Sequence, residues 1–238
     1  MDKHNREESV LPRLSVIITA AGLSRRMGVN KLLLSLGGEP VLARTCAVFN
    51  GMERVRDIVV TAPPGMEEEY AALLRSRNIL KVGKVVTGGA ERQDSIYEAL
   101  RILQAGEDDF VAVHDAARPL ITARMIDSIC AALSGCDGVI PAVPVKDTIK
   151  RVDADGTVIE TLKRAELRAV QTPQIFRYGP LLRAYEAAYR EGFIGTDDAS
   201  LVERYGGTVR VTEGDYRNLK ITTAEDLAVL EKYWNETV

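Results

Sequence analysis

Short apolar, β-branched runs recur along the first half of the chain, and between them apolar positions fall at the spacing of a helix face. The runs Leu14–Thr19, Ile58–Thr61, Val82–Thr87, Phe110–His114 and Gly138–Val143 are expected strands. Helical patterns fill the gaps near Val41–Phe49, Met66–Arg77, Ser95–Gln104 and Ala123–Leu133. Strands that are apolar at nearly every position are buried on both faces, and strands alternating with helices build a mostly parallel sheet. The expected architecture is therefore α/β, with helices covering both faces of that sheet.

The rhythm breaks between Lys146 and Thr161. There "TIKRV", "DADG" and "TVIET" read as strand, turn and strand, with Asp155-Gly156 as the turn signal. This pair is too polar for the core, so it projects as a β-hairpin arm. An isolated two-stranded hairpin is marginal in water and needs something to pack on. That is either a second subunit or the arm's own domain. Helices follow near Tyr178–Glu191 and Ala199–Tyr205, then a strand near Thr208–Thr212. The last helix starts at "TTAED", where Thr222 and Glu225 have capping-box spacing. Residues 1 to about 12 read as a frayed tail, and 13–238 as one domain with an arm at about 146–164.

Composition narrows the class. Of 238 residues, 46% are hydrophobic and 27% charged, which fills the core of one α/β domain. The net charge of −3 comes from 31 basic and 34 acidic residues, and this balance excludes a generally nucleic-acid-binding or membrane-surface protein. Any cationic site must be local. Three cysteines, Cys46, Cys130 and Cys136, make no CxxC pair, so a reducing cytoplasm is the expected setting. The opening "MDKHNREESVLPR" lacks a signal peptide's apolar core, and no apolar run approaches the roughly 20 residues of a membrane span.

Candidate chemistry clusters where strands end, which is where open parallel sheets bind ligands. In "TAAGLSRRMGVNK", Ala20, Ala21 and Gly22 let a ligand approach the backbone, and Arg25, Arg26 and Lys31 supply charge. The stretch matches neither the P-loop nor the dinucleotide fingerprint. It is an anion cradle or a solvated loop. In "TGGAERQDS", Gly88 and Gly89 allow close approach beside Arg92 and Ser95, or they form a turn with Asp94 or Ser95 as helix N-cap. In "VHDAARP", Asp115 closes a buried strand, where a carboxylate is costly unless it meets a cation. It holds Mg²⁺ against a polyphosphate, with Arg118 gripping a second anion, or Asp115 and Arg118 simply pair. His114, alternating away from Asp115, reads as packing. Lys220 stands in "YRNLKIT", and "GTDDAS" reads as a helix N-cap. A nucleophile elbow, a His/Cys metal cluster and an aromatic platform are all missing from the sequence. Such a set suits phosphates with a divalent metal.

Taken in order, "AAGLSRRMG…K", "GGAERQDS", "VHDAARP", "VKDTIK", "LKRAELRAVQTPQ", "TDDAS" and "NLKIT" closely resemble the 2-C-methyl-D-erythritol 4-phosphate cytidylyltransferase family from about Leu14 to Trp234. The resemblance implies a Rossmann-like nucleotidyltransferase fold and transfer of a cytidylyl group from CTP to methylerythritol phosphate, with Mg²⁺ and release of pyrophosphate. By position it implies that Arg26 and Lys31 neutralise the CTP phosphates, while Ala20, Ala21, Gly22, Gly89 and Ser95 frame the cytidine and Arg92 supports their loop. Asp115 would lie near metal and ribose. Thr148, Arg164 and Thr172, with Arg118 and Lys220, would hold the polyol phosphate, and Lys220 would also reach the nucleotide. The arm would cross to a twofold partner, so that Thr148 and Arg164 serve the neighbouring site of a homodimer. Two departures stand out: the short spacing from Met27 to Lys31, with Asn30 before the lysine, and Ala90 where an acid is common. A paralogue acting on ribitol or another pentitol phosphate shares these motifs, and a non-catalytic nucleotide-binding module shares the fold.

Overall fold

The computed structural model describes residues 12–22 and 30–236. The expected tail up to residue 11 and the positions of Arg25, Arg26 and Met27 lie outside the described residues. Strands β1 (Leu14–Thr19), β2 (Ser35–Leu36), β3 (Glu39–Pro40), β4 (Val55–Ala62), β5 (Val82–Thr87), β6 (Phe110–Asp115) and β7 (Gly138–Pro144) alternate with helices α1 (Val41–Asn50), α2 (Glu67–Ser76), α3 (Arg92–Ile102) and α4 (Ala123–Ala131). The arm follows as β8 (Lys150–Val152) and β9 (Val158–Thr161). The chain closes with β10 (Arg168–Val170), β11 (Gln174–Arg177), α5 (Tyr178–Glu191), α6 (Asp198–Arg204), β12 (Val209–Glu213) and α7 (Ala224–Asn235).

The eight-stranded sheet runs β10-β7-β11-β6-β1-β4-β5, with β12 also on β7. Strand β1 lies parallel to β4 and β6, and β4 parallel to β5. Their carboxyl ends therefore share one edge. Alternation in β1 divides the core: Val16 and Ile18 pack with α1 and α4, while Ile17 packs with residues of α3, α5 and α6. Helices on both faces of a mostly parallel sheet agree with the expected architecture.

Three differences have local causes. Strands β10 and β11, antiparallel to their neighbours, were not expected. Each is only three or four residues long and opens on a polar residue, Arg168 or Gln174, so neither shows an apolar run. The last helix starts one residue later than its spacing suggested. Its capping box joins Thr223 to Asp226 in place of Thr222 to Glu225. Asp226 also accepts from the Thr222 hydroxyl at 2.6 Å. Finally, α3 begins at Arg92, three residues before the expected Ser95, because Glu91 and Asp94 make a capping box there.

Candidate active site

A cleft of about 660 Å³ opens at the carboxyl ends of β1, β4, β5 and β6. Its floor is made by stitching each loop to the strand beside it. The Ala20 N–H donates to the Thr61 carbonyl at 3.1 Å, Gly88 to Ala62 at 2.8 Å, and Ala116 to Thr19 at 3.1 Å. Gly88 is demanded by this close approach, since a Cβ there would stand 2.2 Å from the Ala21 Cβ. The Ser95 hydroxyl finishes the turn, accepting from Gly89 N–H at 3.0 Å and donating to the Glu91 carbonyl at 3.2 Å. Ser95 is thereby a brace for the glycine loop.

The cationic residues arrive from three directions. Lys31 follows a turn in which Asn30 Oδ1 accepts from Leu32 N–H, while Asn30 Nδ2 donates to the Tyr70 hydroxyl at 2.9 Å. The asparagine that departs from the family pattern thus ties the lysine's loop to α2. Lys31 Nζ donates to the Ile221 carbonyl at 2.6 Å. Ile221 N–H in turn donates to the Ala117 carbonyl at 2.9 Å, which fixes the loop bearing Lys220. Lys31 and Lys220 are distant in sequence, yet one loop brings them to one cleft.

Asp115 is the electrostatic hub. Its carboxylate lies 2.9 Å from Lys220 Nζ, 3.4 Å from Arg118 Nε and 4.0 Å from Arg92 Nε. Burial opposes its charged form, but Lys220, Arg92 and Arg118 outweigh that and hold the carboxyl well below the usual carboxylate range. Arg92 is bound at both ends of its fork by Asp198, at 2.7 and 3.1 Å. Asp198 is fully buried and also accepts from the Tyr185 hydroxyl. Burial disfavours the Arg92 cation, yet Asp198 more than offsets it and raises its pKa.

The cleft gathers Ala20, Ala21, Gly22, Lys31, Gly89, Arg92, Ser95, Asp115 and Lys220. Ala90, which departs from the family pattern, lines it as well. Four other expected residues lie outside its lining. Arg118 turns inward, with Nη1 donating to the Asn218 carbonyl at 2.7 Å. Thr172 lies buried, its hydroxyl accepting from Asp115 N–H at 3.0 Å. Thr148 and Arg164 sit exposed at the arm, where Arg164 Nη1 donates to the Lys146 carbonyl at 2.7 Å. Sequence reasoning missed Thr61 and Thr222, both of which line the cleft, and Asp198, which holds Arg92. "TDDAS" was read as a cap, which Asp197 does form, but nothing in it announced a partner 106 residues away.

The donor set does not make a protein-held metal cage. Among the described residues no group of three or more His, Cys, Asp or Glu side chains could hold an ion. Glu91 and Asp115 are the carboxylates that line the cleft, and Asp115 lies within 4.0 Å of three cations. The expectation that Asp115 lies beside the metal rests on the resemblance, and among the described residues its charge is met by Lys220, Arg118 and Arg92.

A family model for 2-C-methyl-D-erythritol 4-phosphate cytidylyltransferase matches residues 14–236. The chain belongs to this family. Relatives bearing the same name include that of Geobacillus thermodenitrificans, 46% identical over 90% of this chain and 94% of the relative. That of Symbiobacterium thermophilum is 48% identical over 92% and 91%. Among solved structures, the Francisella tularensis cytidylyltransferase superposes with a TM-score of 0.80 at 31% identity, covering 95% of this chain and 100% of that one. The 4-diphosphocytidyl-2C-methyl-D-erythritol synthase of Anaerococcus prevotii gives 0.82 at 29%, covering 94% and 96%. The chain thus shares its overall fold with solved cytidylyltransferases along nearly its whole length.

Proposed function

We infer that the protein transfers the cytidylyl group of CTP to 2-C-methyl-D-erythritol 4-phosphate, giving 4-diphosphocytidyl-2-C-methyl-D-erythritol and pyrophosphate. The observation that carries this reading is the convergence of Lys31 and Lys220 on one cleft of a chain that matches the family across residues 14–236. An oxygen of the acceptor's phosphate attacks the α-phosphorus of CTP. The bond from that phosphorus to the bridging oxygen of the β-phosphate breaks, and pyrophosphate leaves with the electron pair. No covalent enzyme intermediate is needed, so the chain's task is to place two anions together and neutralise the charge that develops. Lys31 and Lys220 supply that charge, and Asp115 with Arg92 keeps Lys220 aimed. Backbone at Ala20–Gly22 and Gly89 leaves room for the nucleoside.

Mg²⁺ belongs in this reading as part of the substrate, carried on the CTP phosphates, since ions of this kind are commonly held by phosphates and water with few protein ligands. Arg26 joins the phosphate-binding set by resemblance. The arm, with Val152, Val158 and Ile159 each at least half exposed, packs against a second copy, and Thr148 and Arg164 reach that copy's acceptor site. Among the described residues no helix is long and apolar enough to cross a membrane.

The test is pyrophosphate release with CTP, UTP or GTP against methylerythritol, ribitol and hexose phosphates. Turnover is expected with CTP and methylerythritol phosphate in the presence of Mg²⁺. Faster turnover of ribitol phosphate would reassign the acceptor, and no turnover with any pair would leave a nucleotide-binding module.

A further inference from the structure

Behind the floor of the cleft, a closed ring of hydrogen bonds joins residues from three separate segments. His114 Nε2 lies 3.2 Å from the Arg118 carbonyl oxygen. Arg118 Nη1 donates to the Asn218 carbonyl at 2.7 Å, and Asn218 Nδ2 donates to the Thr172 carbonyl at 2.9 Å. Thr172 Oγ1 returns to His114 Nδ1 at 3.1 Å. His114 and Asn218 are fully buried and Thr172 nearly so. The Phe49 ring packs against the imidazole, 5.2 Å between centroids.

The chemistry of the partners fixes where the protons sit. A carbonyl oxygen only accepts, so Nε2 carries the ring proton. With that proton on Nε2, the neutral ring leaves Nδ1 as the acceptor facing the Thr172 hydroxyl. Thr172 therefore donates its single hydroxyl proton to Nδ1, while its oxygen accepts from Asp115 N–H at 3.0 Å.

We propose that His114 is a positioning residue for the acceptor half of the site. As the Nε2–H tautomer it sets the direction of the Thr172 hydroxyl. Through the ring it also registers Arg118 and the Asn218–Lys220 loop against Asp115. A second consequence concerns Thr172 itself. With its proton committed to His114 and its oxygen accepting from Asp115 N–H, the hydroxyl is held in the ring and fixes the Thr172 segment against β6.

The assignment rests on the cytidylyltransferase reading, and the two fail separately. Nitrogen-15 NMR of the histidine side chains in the wild-type protein near neutral pH reads the tautomer without any substrate. His4 is the only other histidine, and His4→Gln assigns its signal. His114 is expected to show a protonated Nε2 and a bare Nδ1; an Nδ1–H tautomer or a charged ring overturns the proposal. In kinetics, His114→Phe keeps a ring but removes both hydrogen bonds. It should raise KM for the polyol phosphate by about tenfold, the size expected when buried partners lose their bonds. KM for CTP should stay within about twofold. His114→Asn, which keeps an acceptor for Thr172, should recover part of the loss. A purely structural role would lower the active fraction and leave both KM values in place, and equal rises in both would likewise overturn the proposal. If His114→Phe does not fold, the wild-type tautomer still decides.

Discussion

Asp115 gathers three cations at the cleft, and the residue before it, His114, ties stability to pH. His114 titrates near 4 in the folded protein, below its ordinary value of 6.5, because burial penalises the imidazolium. As pH falls, the unfolded chain takes up this proton first, so the unfolded state is favoured. Stability from His114 is thus complete above about 6.5 and is lost progressively as pH falls toward 4. Between pH 7 and 5 the loss should be about 2 kcal/mol. Asp115 shifts in the sense usual for a paired acid, and its contribution fades only in stronger acid. Urea unfolding at the two pH values should show the wild-type drop and a clearly smaller one in His114→Asn. Equal drops would trace the acid limb to other groups. At this scale the sequence disclosed which residue types matter but not whom they touch. Lys31 and Lys220 stood out as cations near strand ends. The pairing of Arg92 with Asp198 and the ring through Asn218 join segments about a hundred residues apart, and no local pattern encodes such contacts.

Elements with a strong period were legible, and those defined by their neighbours were not. Strands β1 and β5 and helix α5 match their expected bounds because apolar spacing there fixes both type and length. Strands β10 and β11 exist only because β6 and β7 offer them edges. The arm was legible from its turn: Asp153 Oδ1 accepts from Asp155 and Thr157 N–H, and Gly156 takes a left-handed conformation. Its exposed valines and isoleucine are the face that the proposed dimer would cover, which gives a test at the level of the element. A Lys31→Ala subunit and an Arg164→Ala subunit should each be nearly inactive as homodimers. Mixed and reassembled, they should regain activity, because one site in each heterodimer then has both groups intact. Absence of recovery in a heterodimer verified by mass spectrometry would mean that each chain builds its site alone.

At the scale of the whole molecule, the parallel strands deliver four loops to one edge, and three cationic side chains surround the Asp115 charge there. Chelation should therefore leave the thermal midpoint of the free protein unchanged, since only a ligand bound to the folded state raises it. The same chelator should abolish turnover. A midpoint that falls on adding EDTA would point to a metal held by the protein itself. The arm carries a further consequence through the way it joins the sheet. Pro144 on β7 pairs directly with Arg168 on β10, so the two ends of the arm are adjacent antiparallel neighbours. Topologically the arm is one long hairpin loop, and its length and sequence can change while the sheet stays closed beneath it. On the dimer reading proposed above, self-association and a share of acceptor recognition sit together on a replaceable cassette. Descent with modification can alter that cassette as a unit, and a lineage that changes its acceptor can change its mate in the same step.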